Sequence, residues 1–226
     1  MDSLTFKGSI EDINQALEKK ENFSFSRWGD GEFGCLLHPS ARRNRDGHQY
    51  FETLSEALKE VLLSRPEYLL GMQPKAIRDM GEEINKWMDE NKLSFDWINA
   101  DILHNASRHD EMNDFCKALK QRRCIFVAPE RLKKIAMKIG RGMVRVPLID
   151  CWKWYRQIYT DICDLIEKDT VILYCAGMTS NVLIHHIWND YKDTVSQIDC
   201  GSVFDPYCGL KTRQYHSEIL ERLGAM

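Results

Sequence analysis

The sequence predicts an α/β protein: a single Rossmann-like domain with a mostly parallel sheet and helices on both faces. Short apolar segments such as FSFSR, CIFVA and TVILYCA alternate along the chain with segments whose apolar residues recur at helical spacing. The chain has 226 residues, 43% of them hydrophobic, which is enough for one large core. No composition shift, linker, internal repeat or low-complexity stretch divides it, so 1–226 reads as one domain.

The elements follow in order. SIEDINQALEKK starts with Ser9 as N-cap and Asp12 as its capping-box partner, and sets Ile10, Ile13 and Leu17 on one face. In FSFSR, Phe23 and Phe25 alternate with Ser24 and Ser26, the period of a strand with one apolar face, and the pattern stops at Arg27. FETLSEALKEVLLS is helical through Leu54, Leu58 and Leu62, YLLGM is a strand, and MGEEINKWMDEN is helical through Met80, Ile84, Trp87 and Met88. WINADIL comes next, then helix EMNDFCKALKQR, strand CIFVA, helix RLKKIAMKIG, strand VRVPL and a long helix WKWYRQIYTDICDLIEK. Strand TVILYCA, helix SNVLIHHIWNDY, strand VSQIDC, the irregular stretch SVFDPYCGLKTRQY and a terminal helix complete the chain. Short apolar strands between amphipathic helices belong to a parallel sheet covered on both faces.

The N-terminus lacks a basic segment followed by an apolar stretch, and no apolar run reaches about 18 residues. The eight cysteines form no C-x-x-C pair, and Cys116, Cys124, Cys175 and Cys200 fall inside apolar patterns where reduced thiols pack as small hydrophobes. A soluble, unexported protein of the cytoplasm is the expectation. Net charge is only −3. Yet Gln121 to Arg145 carries Arg122, Arg123, Arg131, Lys133, Lys134, Lys138, Arg141 and Arg145 against Glu130, an excess of seven positive charges that is either a basic face or a solvated helix.

Ligands of open α/β sheets bind beyond the carboxyl ends of the strands. The run RWGDGE occupies one such end. Gly29 and Gly31 allow a sharp turn and close approach to a ligand, while Asp30 and Glu32 can both reach one hard cation, Mg²⁺ or Mn²⁺, if the turn bends. Such a cation is usually shared with substrate phosphates. Arg27 adds a bidentate phosphate contact and Trp28 a stacking surface. The alternative is a Gly-Asp-Gly turn whose acids cap the next helix.

A second run, TVILYCAGMTSN, places Gly177, Thr179 and Ser180 at a strand-turn-helix junction suited to phosphate. Asp199 lies 22 residues after Gly177, near the offset at which nucleotide-binding units set an acid on ribose hydroxyls. There is no full G-x-G-x-x-G, and Thr179 or Ser180 serves equally as an N-cap. His185 and His186 point about 100° apart on a helix and suit packing or surface roles better than a shared metal. The stretch DCGSVFDPYCGLKTRQYH has the composition of a functional loop, with Ser202, Asp205, Arg213 and His216 as its candidates. Turn initiation by Asp205 and helix capping by Arg213 and His216 are the plain alternatives.

SRWGDGE resembles the R-aromatic-G-D-G-E signature of GT-D type glycosyltransferases, and the order of elements from about Phe23 to His216 is also similar to that family. The resemblance implies a metal-assisted glycosyltransferase that moves a sugar from a nucleoside diphosphate sugar, a UDP-sugar above all, to an acceptor hydroxyl. It implies Asp30 and Glu32 at the metal-diphosphate centre. The closing loop is similar to phage-type relatives, which would place the protein in a host cytoplasm and make a hydroxymethylated DNA base an acceptor beside a glycan. A metal there stabilises the leaving diphosphate, assisted by Arg27 and the N–H groups at Thr179 and Ser180, and Glu32 or Asp205 serves as general base. A non-catalytic nucleotide-binding module would need only the Gly177 to Asp199 unit, and a nucleotide-sugar hydrolase would use the same acids with water as acceptor.

Overall fold

The computed structural model describes residues 6, 8–40, 43–44 and 46–224; residues 1–5, the start of the N-terminal stretch searched above for a basic segment followed by an apolar one, lie outside them. Its strands are β1 (Ser24–Trp28), β2 (Leu69–Met72), β3 (Ile98–Asn99), β4 (Arg123–Ala128), β5 (Gly142–Arg145), β6 (Thr170–Tyr174) and β7 (Val195–Asp199). They form one sheet in the order β3-β2-β1-β7-β6-β4-β5, with every neighbouring pair parallel.

The helices are α1 (Ile10–Glu18), α2 (Asp30–Leu37), α3 (Glu52–Leu63), α4 (Pro74–Glu90), α5 (Ile102–Arg108), α6 (Met112–Lys120), α7 (Lys133–Ile139), α8 (Tyr155–Cys163), α9 (Thr179–Tyr191) and α10 (His216–Arg222). One core, under α2, α3, α4, α8 and α9, gathers Trp28, Phe33, Leu58, Ile84, Ile158 and Leu183. The other, under α1, α5, α6 and α7, gathers Ile13, Phe25, Leu103, Phe115, Phe126 and Ile135. At about 25 cal/mol per Å² of apolar surface removed from water, these two faces supply the main driving force for the fold.

Several elements differ from the sequence reading. The Ser9–Asp12 capping box is present, with Ser9 Oγ accepting from Asp12 N–H at 3.2 Å and Asp12 Oδ2 from Ser9 N–H at 3.0 Å. Strand β1, however, is buried on both faces, because Ser24 and Ser26 sit in the sheet's centre. Ser24 is satisfied there by a polar chain in which Tyr174 Oη donates to Gln197 Oε1 and Gln197 Nε2 donates to Ser24 Oγ. The expected long helix from Trp152 shortens to α8, preceded by a 3-10 turn over Cys151–Trp154. Helix α4 begins earlier than expected, at Pro74, a residue suited to the first helical position. All eight cysteines are free thiols. Among the described residues no helix is long and apolar enough to cross a membrane.

The sheet order breaks at its middle, where β1 and β7 are adjacent although far apart in sequence. Loops leaving β1, β6 and β7 at their carboxyl ends surround a crevice there, the location expected for ligands.

Candidate active site

That crevice is a cavity of about 790 Å³. Arg27, Gly29, Asp30, Gly31 and Glu32 reach it from the end of β1, Gly177 from the end of β6, Asp199 from the end of β7, and Ser202 and Asp205 from beyond it. Arg213 closes it from the C-terminal segment, so the two runs singled out in the sequence meet in space.

The local form of RWGDGE is not the expected bent turn. Asp30 is the first residue of α2 and Glu32 the third, so their side chains leave the helix about 200° apart. Asp30 forms an ion pair with Lys75 at the start of α4. Glu32 turns back, accepting from the Gly29 N–H at 2.9 Å through Oε2, and so caps its own helix. Both D-x-E residues line the cavity, and Glu32 also caps its own helix, the role that the alternative reading assigned to these acids.

Glu32 keeps some open surface onto the cavity, yet protein surrounds it at longer range. This desolvation, followed by the charge of Asp199, pushes its carboxyl from 4.5 up to about 7. Asp199 is 5% exposed and its Oδ1 accepts from the Gly201 N–H at 3.0 Å. Burial raises its carboxyl from 3.8 to about 6, and the Arg27 guanidinium limits that rise. Glu32 and Asp199 are thus two desolvated carboxylates with the Arg27 guanidinium beside them, in a cavity that Arg108, Arg131 and Arg213 also line.

Arg27 is fixed by its own neighbours. Its Nε donates to the Ala100 carbonyl at 2.6 Å and its Nη2 to Asp101 Oδ1 at 3.3 Å. Gly201, at φ +52°, leaves the space its guanidinium needs: a Cβ there would lie 2.2 Å from Arg27 Nη1. Gly177, at φ +59°, similarly accommodates the ring of His48, which a Cβ would approach to 3.2 Å.

Other expected residues are placed differently. Trp28 is fully buried and packs on Phe33 with ring centroids 5.6 Å apart, so its indole is a core group and offers no stacking surface. Thr179 and Ser180 are buried in the first turn of α9 and do not line the cavity; Ser180 N–H donates to the Gly177 carbonyl, and Ser180 Oγ accepts from Ala176 N–H. His216 is buried outside the cavity lining, its Nδ1 accepting from Thr212 N–H at 3.3 Å, and burial with the Arg213 charge brings it down to about 4. Asp205 is 1% exposed: Oδ2 takes hydrogen bonds from Arg131 and Thr212, and Oδ1 is buried without a partner. Arg213 pairs with Asp46 through two hydrogen bonds of 2.7 and 2.6 Å.

The basic run does not make one face. Arg122 is buried, donating to the carbonyls of Leu17 and Asp169. Arg123 pairs with Glu167, Arg131 with Asp205, and both Lys133 and Arg145 with Glu130. His186 meets the hydroxyl of Tyr155 and His185 meets Asn189, as packing roles require.

Sequence reasoning missed His48, Lys75, Asp101, His104 and Arg108, all of which line the cavity. His104 and Arg108 carry one signal in the sequence: HNASR follows the carboxyl end of β3 after four intervening residues, and its i, i+4 spacing places both on one face of α5.

The fold and site together define an open parallel α/β protein with a polar, charge-rich cavity at its switch point. Solved structures share that fold. One, described as the highly conserved domain of unknown function 1792 with a distinct glycosyltransferase fold, superposes with a TM-score of 0.61 over 88% of this chain and 79% of its own, at 14% identity. The selenomethionine-substituted structure of domain of unknown function 1792 gives 0.62 over 88% and 79%, at 13% identity. A structure described as a new glycosyltransferase (DUF1792) from Streptococcus sanguinis gives 0.60 over 86% and 81%, at 14% identity. No protein-family model matches the sequence, and no curated protein matches it. At these identities the likeness establishes the fold.

Proposed function

We propose that the chain is a glycosyltransferase that binds a nucleoside diphosphate sugar in this cavity and transfers the sugar to an acceptor hydroxyl. The observation that carries the reading is the pair of desolvated carboxylates, Glu32 and Asp199, beside Arg27 at the carboxyl ends of adjacent strands. The shared fold with proteins described as glycosyltransferases supports it.

The carboxylates suit a divalent cation, Mg²⁺ or Mn²⁺, in the mode where one or two acids bind it and substrate phosphates complete its shell. Among the described residues no group of three or more His, Cys, Asp or Glu side chains is placed to hold a metal ion by itself. Glu32 and Asp199 would hold the ion, and Asp30 would join only by leaving Lys75. When bound, the ion supplies Lewis-acid stabilisation of the departing diphosphate.

The chain's own residues account for the rest. Arg27, held rigidly by Ala100 and Asp101, offers a guanidinium to a phosphate without paying for reorganisation. Of the two candidates for taking the acceptor proton, Asp205 has one oxygen engaged and the other buried. Glu32 is better suited, since it opens on the cavity and its proton affinity matches neutral pH. A cation on Glu32 and a proton accepted by Glu32 compete for the same carboxylate, so Mn²⁺ should shift the acidic limb of the pH–rate profile.

The dispersal of the basic run into ion pairs favours a glycan acceptor over a nucleic acid. A DNA duplex would have to be gripped by a continuous cationic surface while a base left the stack. A panel of nucleoside diphosphate sugars, UDP-sugars first, with Mn²⁺ and saccharide acceptors tests the proposal. Nucleoside diphosphate release with a glycosylated product supports it; release with free sugar alone, unaffected by acceptors, would assign a hydrolase instead.

A further inference from the structure

His104 is 7% exposed, on α5, and lines the cavity. Its Nδ1 is buried without a hydrogen-bond partner. Its Nε2 is not among the buried unpartnered atoms and bonds to no described protein group, so it is the polar atom of the ring that opens toward the cavity. The tautomer that leaves only a lone pair on Nδ1 avoids burying an N–H without an acceptor, and it puts the proton on Nε2.

Three guanidinium groups lie around this ring. Arg27 approaches from β1, Arg108 from the same face of α5, and Arg213 and His216 from the C-terminal segment, while Asp101 is engaged with Arg27. Tyr215 packs edge-on, its centroid 5.8 Å from that of His104. Arg108 lies over the Tyr215 ring at 5.3 Å, and among the described residues it has no carboxylate partner, unlike Arg27, Arg131 and Arg213. Arg108 therefore retains charge for a ligand to neutralise. Burial and the neighbouring cations hold the imidazole neutral, well below its ordinary titration range.

We propose that His104 is a binding residue for the donor's diphosphate, donating from Nε2 to a phosphate oxygen beside the guanidinium groups of Arg27 and Arg108. This rests on the nucleoside diphosphate sugar reading of the cavity. A donor-only imidazole among guanidinium groups suits an oxyanion, which accepts from all of them, better than a sugar hydroxyl, which also needs an acceptor for its own proton. It also excludes His104 as the acceptor's base, since its lone pair is buried.

The test is calorimetric binding of UDP and of inorganic pyrophosphate, each with Mg²⁺, to the wild-type chain, His104→Phe and His104→Gln. Phe fills the ring's volume without a donor and should weaken both ligands by about tenfold or more, whereas Gln, which keeps an N–H, should stay within about threefold. The melting temperature of His104→Phe should be unchanged or higher, because the unpartnered Nδ1 is removed. The ratio of wild-type to Phe affinity should be constant from pH 6 to 8, as for an uncharged donor. Equal binding by wild type and Phe would overturn the assignment, as would loss confined to UDP with pyrophosphate unaffected, or a ratio that grows steeply toward pH 6. If the Phe variant does not fold, His104→Leu replaces it, and equal binding by the Gln and Leu variants overturns the proposal. Failure of the wild type to bind either ligand would instead remove the donor reading of the cavity, and this inference with it.

Discussion

Replacing Glu32 with Gln should make the protein more stable above neutral pH. In the folded chain the Glu32 carboxyl is raised from 4.5 to about 7, so the folded state holds that proton more tightly than the unfolded state does. Linkage then fixes the sign: the stability associated with this proton is fully present below pH 4.5 and is lost as pH rises through 7. The full displacement corresponds to roughly 3 kcal/mol, which water in the cavity reduces, leaving about 2 kcal/mol lost between pH 5 and pH 8. Gln preserves the shape and the acceptor for the Gly29 N–H but cannot ionise. Urea unfolding of both proteins at pH 5 and pH 8 should therefore show a small difference at the lower value. At pH 8 the variant should lead by about 2 kcal/mol, or a melting temperature roughly 4–8 °C higher. The same variant should lose transfer activity, the signature of a residue retained at the expense of stability. A stability difference that does not change with pH, or that changes in the opposite direction, would refute the picture of a carboxylate held in a site that disfavours its charge.

Other consequences follow from the same geometry. Gly201→Ala must move the Arg27 guanidinium, because its Cβ would lie 2.2 Å from Nη1, so UDP affinity measured by calorimetry should fall by about tenfold or more while the chain still folds. Arg131→Ala leaves the 1% exposed Asp205 without its cation, and urea titration should record a loss of about 2–3 kcal/mol. Trp28→Phe should cost about 1–2 kcal/mol of stability through lost packing and leave UDP affinity unchanged; a large affinity loss at unchanged stability would restore Trp28 as a ligand-stacking group. Charge reversal at Lys134, Lys138 and Arg141 should alter neither transfer to a glycan nor its salt dependence.

The layer architecture was legible because every strand but β3, and most helices, carry their own periodicity, and a parallel sheet follows from their alternation. Position at the carboxyl end of a strand was equally legible, which is how Arg27, Glu32, Gly177 and Asp199 were found before any of them could be seen to meet. What eluded sequence reasoning was orientation. Asp30 and Glu32 read as a bent turn because two glycines flank Asp30, yet the capping hydrogen bond that the Gly29 N–H donates to Glu32 starts a helix there and sends the two side chains apart. Trp28, Thr179 and Ser180 sit at the right sequence positions but point into the core or the helix, and only tertiary packing decides that. The charges of the basic run were counted correctly but not their pairing: Glu130, within the run, takes both Lys133 and Arg145, while Glu167 and Asp205 reach it from distant parts of the chain. His104 and Arg108 reach the site from a short strand and helix whose pattern was too brief to assign.

The most direct test of the proposed activity follows both halves of the reaction at once: nucleoside diphosphate released from a nucleotide sugar, and sugar mass gained by a saccharide acceptor, in wild type and Glu32→Gln. The account predicts equal amounts of the two products from the wild type, with both abolished in the folded, more stable variant. Wild-type turnover that persists undiminished in Glu32→Gln, or diphosphate release with no mass gained by any acceptor, would contradict it.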